Sequence, residues 1–313
     1  MLSRHTNCLI LTVSLNLLLA ATTHSTSAQE PNPPQQFPNT QPDVLFTGQP
    51  GQWDAKIRER GWILREGNQW RLWYTGYNPD VQPLSMKLGL ATSSDGIHWK
   101  RSPQNPLVDQ LWIEDMMVVR HHRTYYMFAE GLNDQAQLLS SPDGVQWTRV
   151  GTLDVRLKNG QPIPPGPFGT PSAFFENGVW NLLYERKDLG VWLARSTDMQ
   201  VWTNVRDEPV LTPGPAEFDS RMLALNQIQK INGRYIAVLH GTGDEQKPRR
   251  WATYTAESTD LLSWTKSTTP LRPITENKSS GLLLHDGDRW RFYTTHDRVD
   301  LHWAADSQLP DQR

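Results

Sequence analysis

Apolar and polar residues follow one another along this chain in short blocks that recur at a fixed interval. The aromatic residues Trp70, Tyr125, Trp180, Tyr235 and Trp290 are each separated by 55 positions. Each opens an apolar run: WRLWYTG, YYMFAEG, WNLLYER, YIAVLHG and WRFYTTH. Each run is preceded by another apolar run and a polar turn: REGNQ, HHRT, ENGV, ING and HDGDR. Two apolar runs around a short polar turn predict a β-hairpin. A third strand follows in every unit (LGLATS, AQLLSS, VWLARS, ATYTAES, VDLHWA), and self-similarity at this period sets the fold.

In four units the third strand ends in a related motif: SSDGIHW (93–99), SPDGVQW (141–147), STDMQVW (196–202) and STDLLSW (258–264). Ser and Asp side chains bond to nearby backbone groups and hold tight turns, which gives the tryptophan a fixed place to pack. A fourth strand is expected after the motif, for example PVLTPG at 209–214. The fifth unit ends before its fourth strand, and the N-terminal stretch PDVLFTGQPGQWDA (42–55) parallels EPVLTPGPAEFDS (208–220). The N-terminal strand therefore closes the last unit. The expectation is an all-β, five-bladed β-propeller with four antiparallel strands per blade and few or no helices.

The flanks change the picture only at the ends. Residues 1–28 read as a secretory signal: Arg4 and His5, the apolar CLILTVSLNLLLAA, then Thr26-Ser27-Ala28 before a cleavage point. A membrane anchor is the competing reading, but the apolar stretch is short and carries Thr, Ser and Asn. Cys8, the one cysteine, lies in this segment, so the mature protein is expected to have no disulfide or thiol chemistry. Residues 29–42 (QEPNPPQQFPNTQP) read as a flexible tether, 43–306 as the propeller and 307–313 as a tail. A net charge of −2 points to neither nucleic acid nor an anionic membrane. The expected state is a secreted or periplasmic monomer.

The start of strand 1 and the end of strand 2 share one face of the disc. The period then gives two rings of positions. Strand-1 starts are Arg60, Asp115, Thr170, Leu225 and Ser280; strand-2 ends are Thr75, Glu130, Glu185, His240 and Thr295. Asp115 is expected opposite Glu130, and a one-residue slip would exchange it with Glu114. Asp54 and Asp219, three periods apart, lie on the approach to this face, as does Glu59. The long connections 76–87, 100–113, 148–169 and 241–250 emerge here too and carry Trp53, Trp112, Arg249 and Arg250.

Carboxylates converging on a funnel suit glycoside hydrolysis, in which one donates a proton and another stays ionised. Crowding raises the pKa of one of them. The competing role is ion pairing with Arg60, Arg186 or Arg221, or a cation site on the axis. No metal-binding motif, P-loop, dinucleotide fingerprint or serine elbow is present. No cofactor is required on this reading, although a propeller axis can hold a structural cation.

The hairpins and the A-T-S-x-D-G-x-x-W motif resemble the five-bladed propeller glycosidases of families 43, 32, 68, 117 and 130, over about residues 43–306. The Ser-x-Asp turns also resemble the Asp-boxes of propellers, one residue shorter. The resemblance to family 43 implies an Asp base, a pKa-tuning Asp and a Glu acid on successive blades. Asp115 matches the second of these, Asp54 is the nearest candidate for the first and Glu185 is taken for the third; carbohydrate is the expected partner, and Glu114, Glu130, Asp219, Arg221, His240, Trp53 and Trp112, on the same face and its loops, are the expected substrate contacts. GTPS (169–172) stands where family 43 has a Glu-Gly-Pro-like segment, so the acid is drawn from strand 2. The motifs of family 32 are absent. The alternatives are a catalytically silent carbohydrate-binding propeller and a phosphorylase like those of family 130, with phosphate on Arg221, His240, Arg249 and Arg250.

Overall fold

A computed structural model describes residues 31–41, 45–164, 168–295 and 297–305. The strands fall into five small sheets, within one contact unit that begins at Asn32. Blade 1 holds Trp62–Glu66, Gln69–Tyr77, Lys87–Ser93 and Lys100–Arg101, with Lys56–Ile57 beside its second strand. Blade 2 holds Glu114–His121, Thr124–Glu130, Ala136–Ser141 and Thr148–Thr152. Blade 3 holds Ser172–Glu176, Val179–Glu185, Val191–Ser196 and Val201–Asn204. Blade 4 holds Met222–Ile231, Arg234–Thr242, Ala252–Ser258 and Thr265–Lys266; blade 5 holds Gly281–His285, Trp290–Thr295 and Arg298–Trp303. Among the described residues, helix is limited to three single 3-10 turns.

The outer strand of blade 5 comes from the N-terminal segment in two pieces. Asn39 and Thr40 pair with Trp303 and His302, and Phe46 and Thr47 pair with Val299 and Arg298. Blade 3 has the same broken edge. Val201–Asn204 forms its outer strand, and the expected strand at 209–214 contributes a single bridge, Val191 to Leu211. Two further expectations need correction. The stretch 148–169 is not all loop: Thr148–Thr152 is the outer strand of blade 2, and Asp154–Arg156 adds in parallel to blade 3. The tether does not extend to residue 42. Phe37 is fully buried with Leu271, Trp290 and Phe292, because an aromatic ring in a Pro/Gln-rich stretch gains more by burial than by staying in water. The predicted signal segment and the tail 307–313 lie outside the described residues.

The Ser-x-Asp motifs form the same turn four times. In blade 2, Ser141 Oγ accepts the Gly144 N–H at 2.8 Å, and Asp143 Oδ1 accepts the Val145 and Gln146 N–H groups at 2.8 Å. The turn needs a left-handed residue at its fourth position, which is Gly96, Gly144, Met199 or Leu261. Each turn exposes carbonyls that a neighbouring blade uses. Trp73 Nε1 donates to Gly144 O at 2.8 Å across the seam between blades 1 and 2, with Arg71 Nη1 on Asp143 O. Four periods later, Tyr293 donates to Gly96 O at 3.0 Å and Arg291 to Asp95 O across the closing seam. Trp73, Trp202 and Trp303 are fully buried in this packing.

Candidate active site

The inner hairpins open onto one pocket of about 210 Å³. Its wall includes Glu59, Arg60, Asp115, Glu130, Thr170, Glu185 and His240, so both predicted rings contribute. The ladder of blade 2 departs from the simple register. Met117 faces Phe128, but Glu114 faces Glu130, and Asp115 belongs to a bulge between them. The expected Asp115–Glu130 pair is therefore replaced by Glu114–Glu130, because an extra residue in one strand re-aims its side chains. Asp115 takes φ 48°. Arg60 (φ 63°) and Thr170 (φ 51°) repeat this left-handed backbone one period before and after it.

Burial and mutual repulsion dominate the chemistry. Burial raises Glu185 to about 8, assisted by the charge of Asp188, although Glu185 Oε2 accepts the Asp188 N–H at 2.5 Å. Burial raises Glu130 well above the ordinary carboxylate range, with the charge of Asp115 adding to it. Burial also lifts Asp115 to about 7 against the pull of Arg60, whose Nη1 lies 3.8 Å from Asp115 Oδ2. Asp188 rises to about 6 for the same first reason. Gly169 allows the crowding: a Cβ there would collide with both Glu185 Oε1 and Glu130 Oε1. Glu59 pairs with Arg58 at 3.0 Å and accepts a hydrogen bond from Ser279 Oγ at 2.5 Å. The His240 ring meets Asn226 Oδ1 through Nδ1 at 2.7 Å and Trp251 edge-on at 5.0 Å.

Several expected residues lie elsewhere. Asp54 is fully buried outside the pocket, where it accepts from Tyr74 Oη at 3.0 Å and Arg101 Nε at 2.8 Å. Asp219 is its counterpart three periods on, held by Tyr254 Oη at 2.8 Å and Lys266 Nζ at 2.5 Å. Each ties the approach to an inner strand onto the outer strand of its own blade, so Asp54 is not positioned as a base. Trp53 stacks on Tyr74 at 5.9 Å. Trp112 lines a neighbouring rim cleft of about 630 Å³ and donates to Glu114 Oε1 at 2.8 Å. Arg221 is exposed and pairs with Glu245 at 3.2 Å, and Arg250 pairs with Asp244 at 3.0 Å. Of the residues weighed as a phosphate cluster, Arg221 and Arg250 are thus each paired with an acid of the 241–250 connection, while His240 lines the pocket.

Asp134, Lys187, Asp188 and Trp251 line the pocket without having been singled out from sequence. Asp134 and Asp188 follow the strand-2 acids Glu130 and Glu185 by only a few residues, and that spacing was the available signal. Among the described residues, Glu114, Glu130 and Asp134 bring carboxylate oxygens within 4.8 Å of one another, an oxygen set suited to a hard cation. Glu114 already accepts from Arg58 Nε at 3.0 Å and from Trp112.

No protein-family model and no curated protein matches the chain. Solved structures do. A glycosyl hydrolase from Bacteroides ovatus is similar at 15% identity, with 86% of this chain and 93% of that one covered and a TM-score of 0.69. A structure from work on family 130 mannoside phosphorylases, a family containing glycoside hydrolases that target β-1,2 mannosidic linkages in Candida mannan, is similar at 16% identity. It covers 90% of this chain and 100% of its own, with a TM-score of 0.68. The catalytic domain of a family 62 α-L-arabinofuranosidase from Coprinopsis cinerea covers 86% of this chain and 97% of its own at 12% identity and a TM-score of 0.63. At such identities the likeness speaks for architecture, and the chain has the five-bladed β-propeller fold of these glycoside-active enzymes.

Proposed function

We propose that the protein is an exported glycoside hydrolase that cleaves an oligo- or polysaccharide in the funnel of the propeller. The observation that carries this reading is Glu185. It is a buried carboxyl raised to about 8, on the wall of an open pocket shared with other carboxylates. Such a group is protonated at neutral pH and can deliver its proton to a leaving glycosidic oxygen. Asp115 keeps the tuning role, because its negative charge favours retention of the Glu185 proton. Glu59 takes over the role first given to Asp54: it lines the pocket, is held by Arg58 and acts as base toward water or as nucleophile. Export rests on the composition of residues 1–28. No described helix is long and apolar enough to cross a membrane.

The test is hydrolysis of a glycoside panel by the full chain and by Glu185→Gln. Loss of the acid lowers kcat by roughly 10²–10⁴-fold. The wild-type rate should fall as pH rises through about 8, where Glu185 loses its proton. Sugar binding with no turnover at any pH would point instead to a carbohydrate-binding propeller.

A further inference from the structure

The rim cleft is the larger of two neighbouring cavities, at about 630 Å³ against about 210 Å³ for the pocket, and one loop stands between them. Glu130 and Asp134 line the pocket, while Gly131, Leu132 and Gln135 line the cleft. The shared wall is therefore the turn that follows the second strand of blade 2. It is tight, with left-handed backbone at Asn133 (φ 62°) and Asp134 (φ 57°). It is also held on two sides. The Gly131 N–H donates to Gln135 O at 2.9 Å and closes the turn, and the Phe168 N–H donates to Asp134 O at 2.8 Å and fastens it to the next connection.

The cleft differs from the pocket in chemistry. Its lining holds one acid, Asp109, and one base, Arg149, among the described residues. The buried amide of Gln137 donates from Nε2 to Trp112 O at 2.7 Å and accepts from Arg149 Nε at 3.1 Å, so it sets the tryptophan and the guanidinium together. The Trp112 indole N–H is engaged by Glu114 Oε1. A ring whose one polar atom is engaged offers the cleft carbon alone. Leu132 and Leu84 extend that carbon surface at 60% and 37% exposure, and the exposed Gln110 and Gln135 border it. A pre-set apolar platform ringed by amide and guanidinium groups is the surface of a recognition site. It matches sugar rings in sequence, whose faces are C–H and whose edges are hydroxyl.

We infer that the cleft binds the sugar residues next to the one in the pocket, so that the substrate is a chain laid across the Gly131–Gln135 wall with Trp112 and Leu132 as its platform. The inference rests on the glycoside-active reading and deepens it: acids are gathered where a bond is cut, and the neighbouring carbon surface holds the rest of the chain.

Titration calorimetry tests it on the full chain carrying Glu185→Gln, which keeps the glycan uncut. The ligands are xylo-, cello-, manno- and arabino-oligosaccharides from monomer to pentamer. In at least one series the trimer should bind at least roughly tenfold tighter than the monomer. Leu132→Asp sets a charge on the platform at an exposed position, so it should remove most of that gain with Tm near that of its parent. Leu132→Met, which keeps the carbon surface, should retain the gain, and Trp112→Ala should lose it. Affinity that is independent of chain length in every series overturns the inference. So does a gain with chain length that survives both Leu132→Asp and Trp112→Ala. The expected binding pattern in a wild-type protein that cleaves no glycoside sinks the hydrolase reading and leaves this one standing. Cleavage by wild type with KM indifferent to chain length does the reverse.

Discussion

A carboxylic acid serves as a proton donor when it is still protonated at the working pH, and Glu185 reaches that state through burial and through Asp188. The same shift makes the fold sensitive to pH. A group whose value is raised from about 4.5 to about 8 on folding stabilises the folded state below its unfolded value, and that contribution is lost as pH rises through 8. Asp115, raised from 3.8 to about 7, acts in the same direction. The difference in Tm between wild type and Glu185→Gln should therefore shift in favour of the variant from about pH 5 to about pH 8; a constant difference would contradict the assigned burial. Asp54 makes the opposite case. Asp54→Ala leaves Arg101 and Tyr74 without their partner and should cost about 3 kcal/mol in urea unfolding, while kcat of the folded fraction stays near wild type. These two acids were indistinguishable in the sequence, because a carboxylate carries no mark of whether its neighbour will be an arginine or another acid.

At the scale of strands and turns, the hairpins were legible because their apolar runs repeat to the residue. Trp70, Tyr125, Trp180, Tyr235 and Trp290 all occupy second strands. The four Ser-x-Asp motifs were legible for the same reason, since their hydrogen bonds are local. Asp143→Ala removes the acceptor of two backbone N–H groups and should cost about 1–3 kcal/mol, read as a lower urea midpoint with m unchanged. A wild-type midpoint would mean that Gly144 alone holds the turn. The bulges were not legible. In blade 2 the bulge takes left-handed backbone at Asp115, which the sequence does not signal, and it alone decides whether Glu114 or Asp115 faces Glu130. The broken outer strands escaped too, because two-residue pieces such as Asn39–Thr40 are too short for a periodic pattern to form.

Across the whole molecule, the disc closes by two routes. One is strand pairing, in which Asn39–Thr40 and Phe46–Thr47 complete blade 5. The other is side-chain capture of a turn, in which Arg291 and Tyr293 meet Asp95 and Gly96 much as Arg71 and Trp73 meet Asp143 and Gly144. The seam between the ends of the chain thus repeats the chemistry of an internal seam, and the period of 55 persists around the ring. Arg60 lines the pocket and reaches from blade 1 to Leu225 O of blade 4, past the neighbouring blades. One side chain thus ties together two blades that share no strand pairing, so a change at Arg60 should be felt on both sides of the ring.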